Sequence, residues 1–567
     1  MFQIISTLLN NLYRYYLIFL FLYFLGRILY IFSVKFVNKN FSNSNKELFF
    51  TKISILFPVF GYFLLGNILL IANYFFPISN FIIKILLFLI ISLNLLYKVK
   101  LNFYFSFINL FNYIFLPLIL LASSYDTSFH YDAGFYHLNH QNWIRESNIV
   151  IGMVNIFWPF GIASLNEYVL SFFWTQKTLI NLHFLSLIFL HTFYIFIYHH
   201  IFERKNSPYK YASIFILIFG FLDNFGFLGG RNGYFYIQEI GKPDIQIAVL
   251  VVLVSLFIYG NIAYNLNENI DIVIISLLCL FTFQLKIGSF YLFVYFAIYL
   301  LKLIFEKSLS IKKLFINLIP LISFSIFWFL KSYLISGCFI FPVEITCLNN
   351  FSWFRSNTTK IIEIYTSDTS FGFRSFVFDN SLFLKEWFNV FFKNNLYSEF
   401  YKSYYLNFLI SFIFILFIKV FLTKKRKLSF KIHILNQLYI IFSLLFLFIY
   451  GPIPRYSIGI LIFIIAATGF NIEKFKVKIS KHLLMSLFFI VIVLTPRLNS
   501  YKNLIQNKQL ILDDPRYHIE VLVEYDSFWK YPQFGDQCWI NLDCTSEIGG
   551  QIVIKNNFFK TVIRNFK

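Results

Sequence analysis

TLINLHFLSLIFLHTFYIFIY, residues 178–198, carries no charged side chain from end to end. About 20 such residues, wound as a helix, cross the roughly 30 Å of hydrocarbon in a bilayer. Residues 403–418 and 432–450 are likewise free of charge. Working outward, the whole chain shares this character: 58% of its residues are hydrophobic, 22% aromatic and only 13% charged. A soluble domain carries about a quarter charged residues. Period-two alternation is absent, so helices rather than a barrel satisfy the backbone in lipid. The fold class expected is an all-α polytopic membrane protein.

Net charge is +21, a value that in a soluble chain suggests nucleic acid. Position argues otherwise. The basic residues gather in short clusters between apolar runs: Lys35, Lys39 and Lys46; Lys98 and Lys100; Arg204, Lys205 and Lys210; Lys307, Lys312 and Lys313; Lys424 to Lys427; Lys474, Lys476, Lys478 and Lys481. That is the positive-inside pattern, which keeps Lys and Arg cytoplasmic, and no nucleic-acid motif accompanies it. The runs between clusters predict about fourteen spans: 15–34, 52–74, 80–98, 103–122, 178–200, 211–222, 244–263, 271–285, 287–304, 314–334, 403–421, 431–450, 457–471 and 482–495. Residues 1–14 lack a signal peptide's charged start and cleavage site, so the first span is expected to be retained.

This topology divides the chain into helices 1–122, a loop 123–177, helices 178–334, a loop 335–402, helices 403–495 and a small tail 496–567. The two loops, the tail and the shorter segment 223–243 fall outside the cytoplasm. Of five cysteines, four lie in these segments as close pairs, Cys338 with Cys347 and Cys538 with Cys544. Close pairs in an oxidising compartment suggest disulfides. Neither has the partners of a zinc site, and Cys279, inside a span, reads as a buried apolar residue.

The densest polar cluster runs from Ser123 to Trp143. As a helix over 132–146, it would place Asp132, Tyr136, His140 and Trp143 on one face. Asp132 reads either as a helix cap or as a carboxylate base at the membrane surface, with aromatic and imidazole groups positioning a substrate. Next, Ile151 to Gly161 is too short and too broken by Gly and Pro to span. It reads as a segment lying on or dipping into the outer leaflet, either a groove for a lipid-linked substrate or an aromatic anchor. A third feature, Gly229-Gly230-Arg231 with Lys242-Pro243-Asp244, suits an anionic group such as phosphate; Asp244 reads equally as a cap. Lys286 between two apolar runs is expensive in lipid and should face protein, a polar cavity or an external turn. No phosphate-binding Gly-rich loop and no dinucleotide fingerprint is present.

The stretch from Tyr131-Asp132-Ala133-Gly134-Phe135-Tyr136-His137-Leu138 through Trp143 and on to Asn155 resembles a family of bacterial inner-membrane proteins that look like GT-C membrane glycosyltransferases. Lys242-Pro243-Asp244-Ile245, Ser336-Gly337-Cys338 to Pro342, and Gly535-Asp536-Gln537-Cys538-Trp539 with Cys544-Thr545 extend the likeness over roughly residues 120–550. Position 543 is Asp where the tail pattern has Pro, and the loop follows the fourth expected span where the class has it after the first. The resemblance implies a GT-C-like bundle of about 12–14 spans with a small extracytoplasmic tail, set in the bacterial inner membrane. It also implies a polyprenyl-phosphate sugar donor and Asp132 as the acidic catalytic residue of the external loop.

The expected activity is transfer of a sugar from polyprenyl phosphate to an envelope glycan or lipid acceptor. Asp132 is the base, and Asp126, Tyr136, His137, His140, Trp143, Arg231, Lys242 and Asp244 are candidate substrate contacts. No single cofactor is marked by the sequence, and a divalent ion on Asp126, Asp132 and His137 or His140 is an open alternative. Two other functions compete. A polymerase or ligase of lipid-linked glycans would rely on external arginines such as Arg355 and Arg374. A transporter or flippase would need ionisable groups near mid-membrane, with Lys286 the residue to test.

Overall fold

Apolar runs in lipid must satisfy their own backbone groups, and the computed structural model winds these runs into helices. It describes residues 2–40, 52–81, 83–85, 87–88, 92, 110–162, 164–174, 179–204, 207–225, 240, 242–265, 268–348, 353–354, 359–363, 396–425, 430–450, 454–477, 479–506, 522–524, 529–533, 535–547, 551–555 and 559–564. Among these, eight helices are long and apolar enough to cross a membrane: Ile4–Asn40, Ile53–Asn73, Ile180–Glu203, Asp244–Tyr264, Ile287–Phe305, Ile311–Ser336, Tyr404–Leu422 and Phe430–Phe448. Lys481–Leu494 and Leu498–Ile505 add a pair bent by 73°, and Phe111–Tyr125, Asn269–Leu285 and Tyr456–Gly469 are shorter apolar helices. The chain is an all-α polytopic membrane protein. Of the runs read from sequence, 80–98 lies largely outside the described residues, and 211–222 falls within the helix Lys210–Phe225.

Burial ranks the helices. The apolar window of Asp244–Tyr264 is completely enclosed by neighbours, whereas only 11% of that of Ile311–Ser336 is. The latter turns Phe315, Ile322 and Ile326 outward, as a helix facing lipid does. The first two helices touch backbone to backbone: a Cβ on Gly26 would sit 1.8 Å from the Phe57 carbonyl oxygen, and one on Gly61 equally close to that of Leu22. Small residues permit this approach in membranes.

Charge separates the two ends of the bundle. Helices that set out from the end carrying Asp132, such as Asp244–Tyr264 and Tyr291–Phe305, finish near Lys302 and Lys307; Ile311–Ser336 starts at Lys312 and returns. At that basic end Lys431 pairs with Glu306 at 3.8 Å and Lys424 with Glu473 at 3.5 Å, beside a short ladder joining Thr423–Lys425 to Ile472–Phe475. At the other end lie residues 123–174 and the tail. The tail contains two antiparallel hairpins, Leu522–Glu524 with Lys530–Pro532 and Gln551–Lys555 with Lys560–Arg564. Disulfides join Cys338 to Cys347 and Cys538 to Cys544, and Cys279 is buried as a free thiol.

The segment 151–161, expected to lie on or dip into the outer leaflet, is packed against the rest of the protein. Its residues are mostly buried in protein. Ile151 exchanges hydrogen bonds with the last hairpin, the Gly152 N–H reaches the Leu334 carbonyl at 2.8 Å, and Thr545 donates to the Ile156 carbonyl at 2.7 Å. Gly152 has φ +69°, and a Cβ there would lie 2.4 Å from the Val562 carbonyl oxygen. A broken segment has unpaired backbone groups, and the tail supplies partners that lipid does not have.

Candidate functional site

Around Asp132 the helix is not a plain α-helix. Residues Ala133–His137 form a π turn that runs into the helix Leu138–Glu146. The wider turn rotates the side chains that follow, and the single face expected for Asp132, Tyr136, His140 and Trp143 does not form. Asp132 keeps a 27% exposed side chain and Tyr136 is half-buried. His140 and Trp143 turn inward and are buried. Asp132 stands at the position that precedes the π turn, yet its side chain makes no capping hydrogen bond.

That carboxylate is used elsewhere. A short parallel pairing, His130 N–H to the Ile240 carbonyl at 3.0 Å and Ile240 N–H to the Ser128 carbonyl at 2.9 Å, brings the chain just ahead of Asp244–Tyr264 alongside the loop at Ile240. Lys242 thereby reaches the site: its ammonium donates to His130 Nε2 and lies 3.6 Å from Asp132 Oδ2. His130 Nδ1 is 3.4 Å from the same oxygen. The Asp132 N–H in turn donates to His130 Nδ1 at 3.0 Å, so Lys242, His130 and Asp132 form one linked cluster. Burial would raise the Asp132 carboxyl, but the His130 hydrogen bond and the charges of Lys242, His130 and His137 outweigh it. The group is held well below the usual carboxylate range and is ionised at neutral pH.

Beneath lies a second, buried constellation. His137 Nδ1 is bonded to Glu167 Oε1, and Gln141 Nε2 donates to Glu167 Oε2 at 2.8 Å. Glu167 and Lys331 are each 1% exposed, and their charges act on one another. His140 is held well below its ordinary value by burial, and further by the charges of Lys331 and His137, so it is neutral. It stacks on Phe160 and lines a small cavity with Trp143. Neither His140 Nε2 nor Trp143 Nε1 has a hydrogen-bond partner among the described residues.

The remaining candidates separate. Asp244, the first residue of its helix, is buried and pairs with Lys286 at 3.3 Å, while the Lys286 ammonium rests 3.3 Å over the Tyr456 ring. The tripeptide Lys242-Pro243-Asp244 thus sends its two charges to different partners. Asp126 follows the helical turn Ala122–Tyr125, its N–H bonded to the Ser123 carbonyl at 3.0 Å. Among the described residues no three His, Cys, Asp or Glu side chains converge on one point that would hold a metal ion. Asp126, Asp132 and His137 or His140 do not gather into such a group. Arg231, and the arginines Arg355 and Arg374, lie outside the described residues.

Four participants were not among the sequence candidates: His130, Gln141, Glu167 and Lys331. A lone acid in LNEYVLSFF and a lone lysine within 314–334 are the signals that mark the last two, since such charges are costly in an apolar helix.

The tail closes over this site. The Trp539 N–H donates to the Gly134 carbonyl at 2.9 Å, and Asn142 donates to the Ile540 carbonyl at 2.8 Å. The Tyr131 hydroxyl donates to the Asp536 carboxylate, and Gln537 donates to the Tyr131 carbonyl at 3.2 Å. A family model described as a domain of unknown function (DUF8201) matches residues 8–462, which takes in both halves of the Asp132–Lys242 pair and stops before the tail. No curated protein and no solved structure matches the chain.

Proposed function

We propose that this chain, which belongs to the DUF8201 family, is a membrane glycosyltransferase that moves a sugar from a polyprenyl-phosphate donor to an envelope glycan or lipid acceptor. The observation that carries this reading is the Asp132, His130 and Lys242 constellation: an ionised, part-exposed carboxylate beside an imidazole and an ammonium, at the end of the bundle opposite the basic clusters. By the positive-inside rule that end faces away from the cytoplasm, which in a bacterial inner membrane is where lipid-linked sugars are consumed. The eight long helices, the bent pair and three short ones are compatible with a GT-C-like bundle of twelve to fourteen spans.

In the reaction, an acceptor hydroxyl oxygen attacks the anomeric carbon while the bond from that carbon to the phosphate oxygen breaks. The bonding pair leaves with polyprenyl phosphate, and the hydroxyl proton passes to Asp132. A carboxylate held so low is a poor base while Lys242 is beside it. A bound phosphate draws the Lys242 ammonium to itself, neutralising the leaving group and returning basicity to Asp132. General-base help of this kind is worth typically about 10²–10⁴ in rate. The phosphate–sugar bond supplies the driving force, so no nucleotide is consumed.

Membranes from cells expressing Asp132→Asn or Lys242→Gln, given a labelled polyprenyl-phosphate hexose, test this. Both variants should transfer at least a hundredfold more slowly at normal protein levels. Wild-type transfer by Asp132→Asn would remove Asp132 from the reaction. A transporter reading needs ionisable groups midway through the bundle, whereas Asp244 and Lys286 sit at helix ends level with the site.

A further inference from the structure

Lys242 pairs with Asp132, and residues 536–541 of the tail line one side of the helix that bears it, bonded to that helix at Gly134 and Asn142. On that side Tyr131 is 53% exposed and stacks on Phe135, their centroids 5.8 Å apart. Trp539 is half-buried, set edge-on to Phe129 at 5.8 Å. The Asp536 carboxylate holds the Tyr131 hydroxyl, and the Gln537 amide holds the Tyr131 backbone. The rim therefore presents rigid aromatic faces flanked by two carboxylates, Asp132 and Asp536.

We infer that this rim is a binding subsite for a sugar ring of the acceptor, built jointly by the loop and the C-terminal tail. A pyranose has flat C–H faces that an aromatic ring covers and a rim of hydroxyl donors that carboxylate and amide oxygens accept. Tyr131, Trp539, Asp132, Asp536 and Gln537 match both needs. Two carboxylates repel a phosphate, so the donor's phosphate belongs on the Lys242 side and the acceptor on this one. The same charges oppose docking on an anionic lipid surface, where an aromatic patch would otherwise rest. This assignment of sides rests on the glycosyltransferase reading; sugar binding by the rim does not.

The full chain in lipid nanodiscs, applied to an array printed with bacterial envelope oligosaccharides, tests it. Wild type should bind at least one class of oligosaccharide. Asp536→Asn and Tyr131→Ala should each weaken that binding at least tenfold, and Tyr131→Phe less. Absence of binding to every oligosaccharide overturns the inference, as does wild-type binding by both Asp536→Asn and Tyr131→Ala. Array binding by a protein whose Asp132→Asn variant still transfers sugar would keep the subsite and remove the catalytic reading, so the two fail separately.

Discussion

Replacing Glu167 by Gln exposes how the buried half of the site is held. Glu167 is 1% exposed, and each of its oxygens serves a donor, His137 on one side and Gln141 at 2.8 Å on the other. A glutamine of the same size offers one acceptor and turns its NH2 toward the second donor. Two donors then face each other in a space closed to water, which costs about 1–3 kcal/mol for each unmet group. Loss of a buried charge returns part of the desolvation cost, so the net for Glu167→Gln is about 2 kcal/mol. Glu167→Ala leaves both donors unmet beside a void and should cost about 4 kcal/mol, within the range for breaking a buried pair. Reversible unfolding in mixed detergent–SDS micelles, followed by tryptophan fluorescence, reads both values. His137→Asn should cost at least about 1 kcal/mol less in the Glu167→Gln background than in wild type. Glu167→Gln within about 0.5 kcal/mol of wild type, with additive behaviour in the double variant, would refute this account of the dyad.

Three further outcomes are expected. Gly134→Ala puts a Cβ 2.7 Å from Trp539 Cε2 and 3.0 Å from Gln537 Oε1; overpacking of about 1–3 kcal/mol should speed hydrogen exchange across residues 535–545 without unfolding the bundle. His140 is buried neutral with its ordinary value of 6.5 depressed, so the unfolded chain takes up its proton first. Stability from this group is complete above about pH 6.5 and falls as pH drops below it, a slope that His140→Gln should reduce in thermal melts run between pH 7.5 and 5. Lys242→Gln removes one of the charges that keep the Asp132 carboxyl low, so that carboxyl rises and the acid limb of any transfer activity moves to higher pH; an unmoved limb would separate Asp132 from the titration.

The spans and their charge were legible because both rest on composition: a run such as 178–198 is too long and too apolar to lie in water, and basic turns collect on one side. The core of the site was half legible. Asp132 and Lys242 were named, but nothing local to either says that the pairing of His130 with Ile240, residues far apart in the chain, brings them together. Glu167 was hidden by its own context. Ser164 caps its helix, accepting from the Asn166 N–H, while the glutamate three residues on turns to His137 and Gln141, distant in the chain. The π turn at Ala133–His137 was equally invisible, since a spacing argument presumes 3.6 residues per turn, and one wide turn sends His140 and Trp143 to the other side of the wall.

Hydropathy and charge, which act residue by residue, settle that this chain is a bundle of membrane helices and which of its ends is basic. Which polar groups of the opposite end meet is a matter of contacts between distant segments, made where the C-terminal tail closes on the loop that carries Asp132. Such contacts depend on turn geometry and on where unpaired backbone groups find partners, and no periodicity in the amino-acid order encodes them.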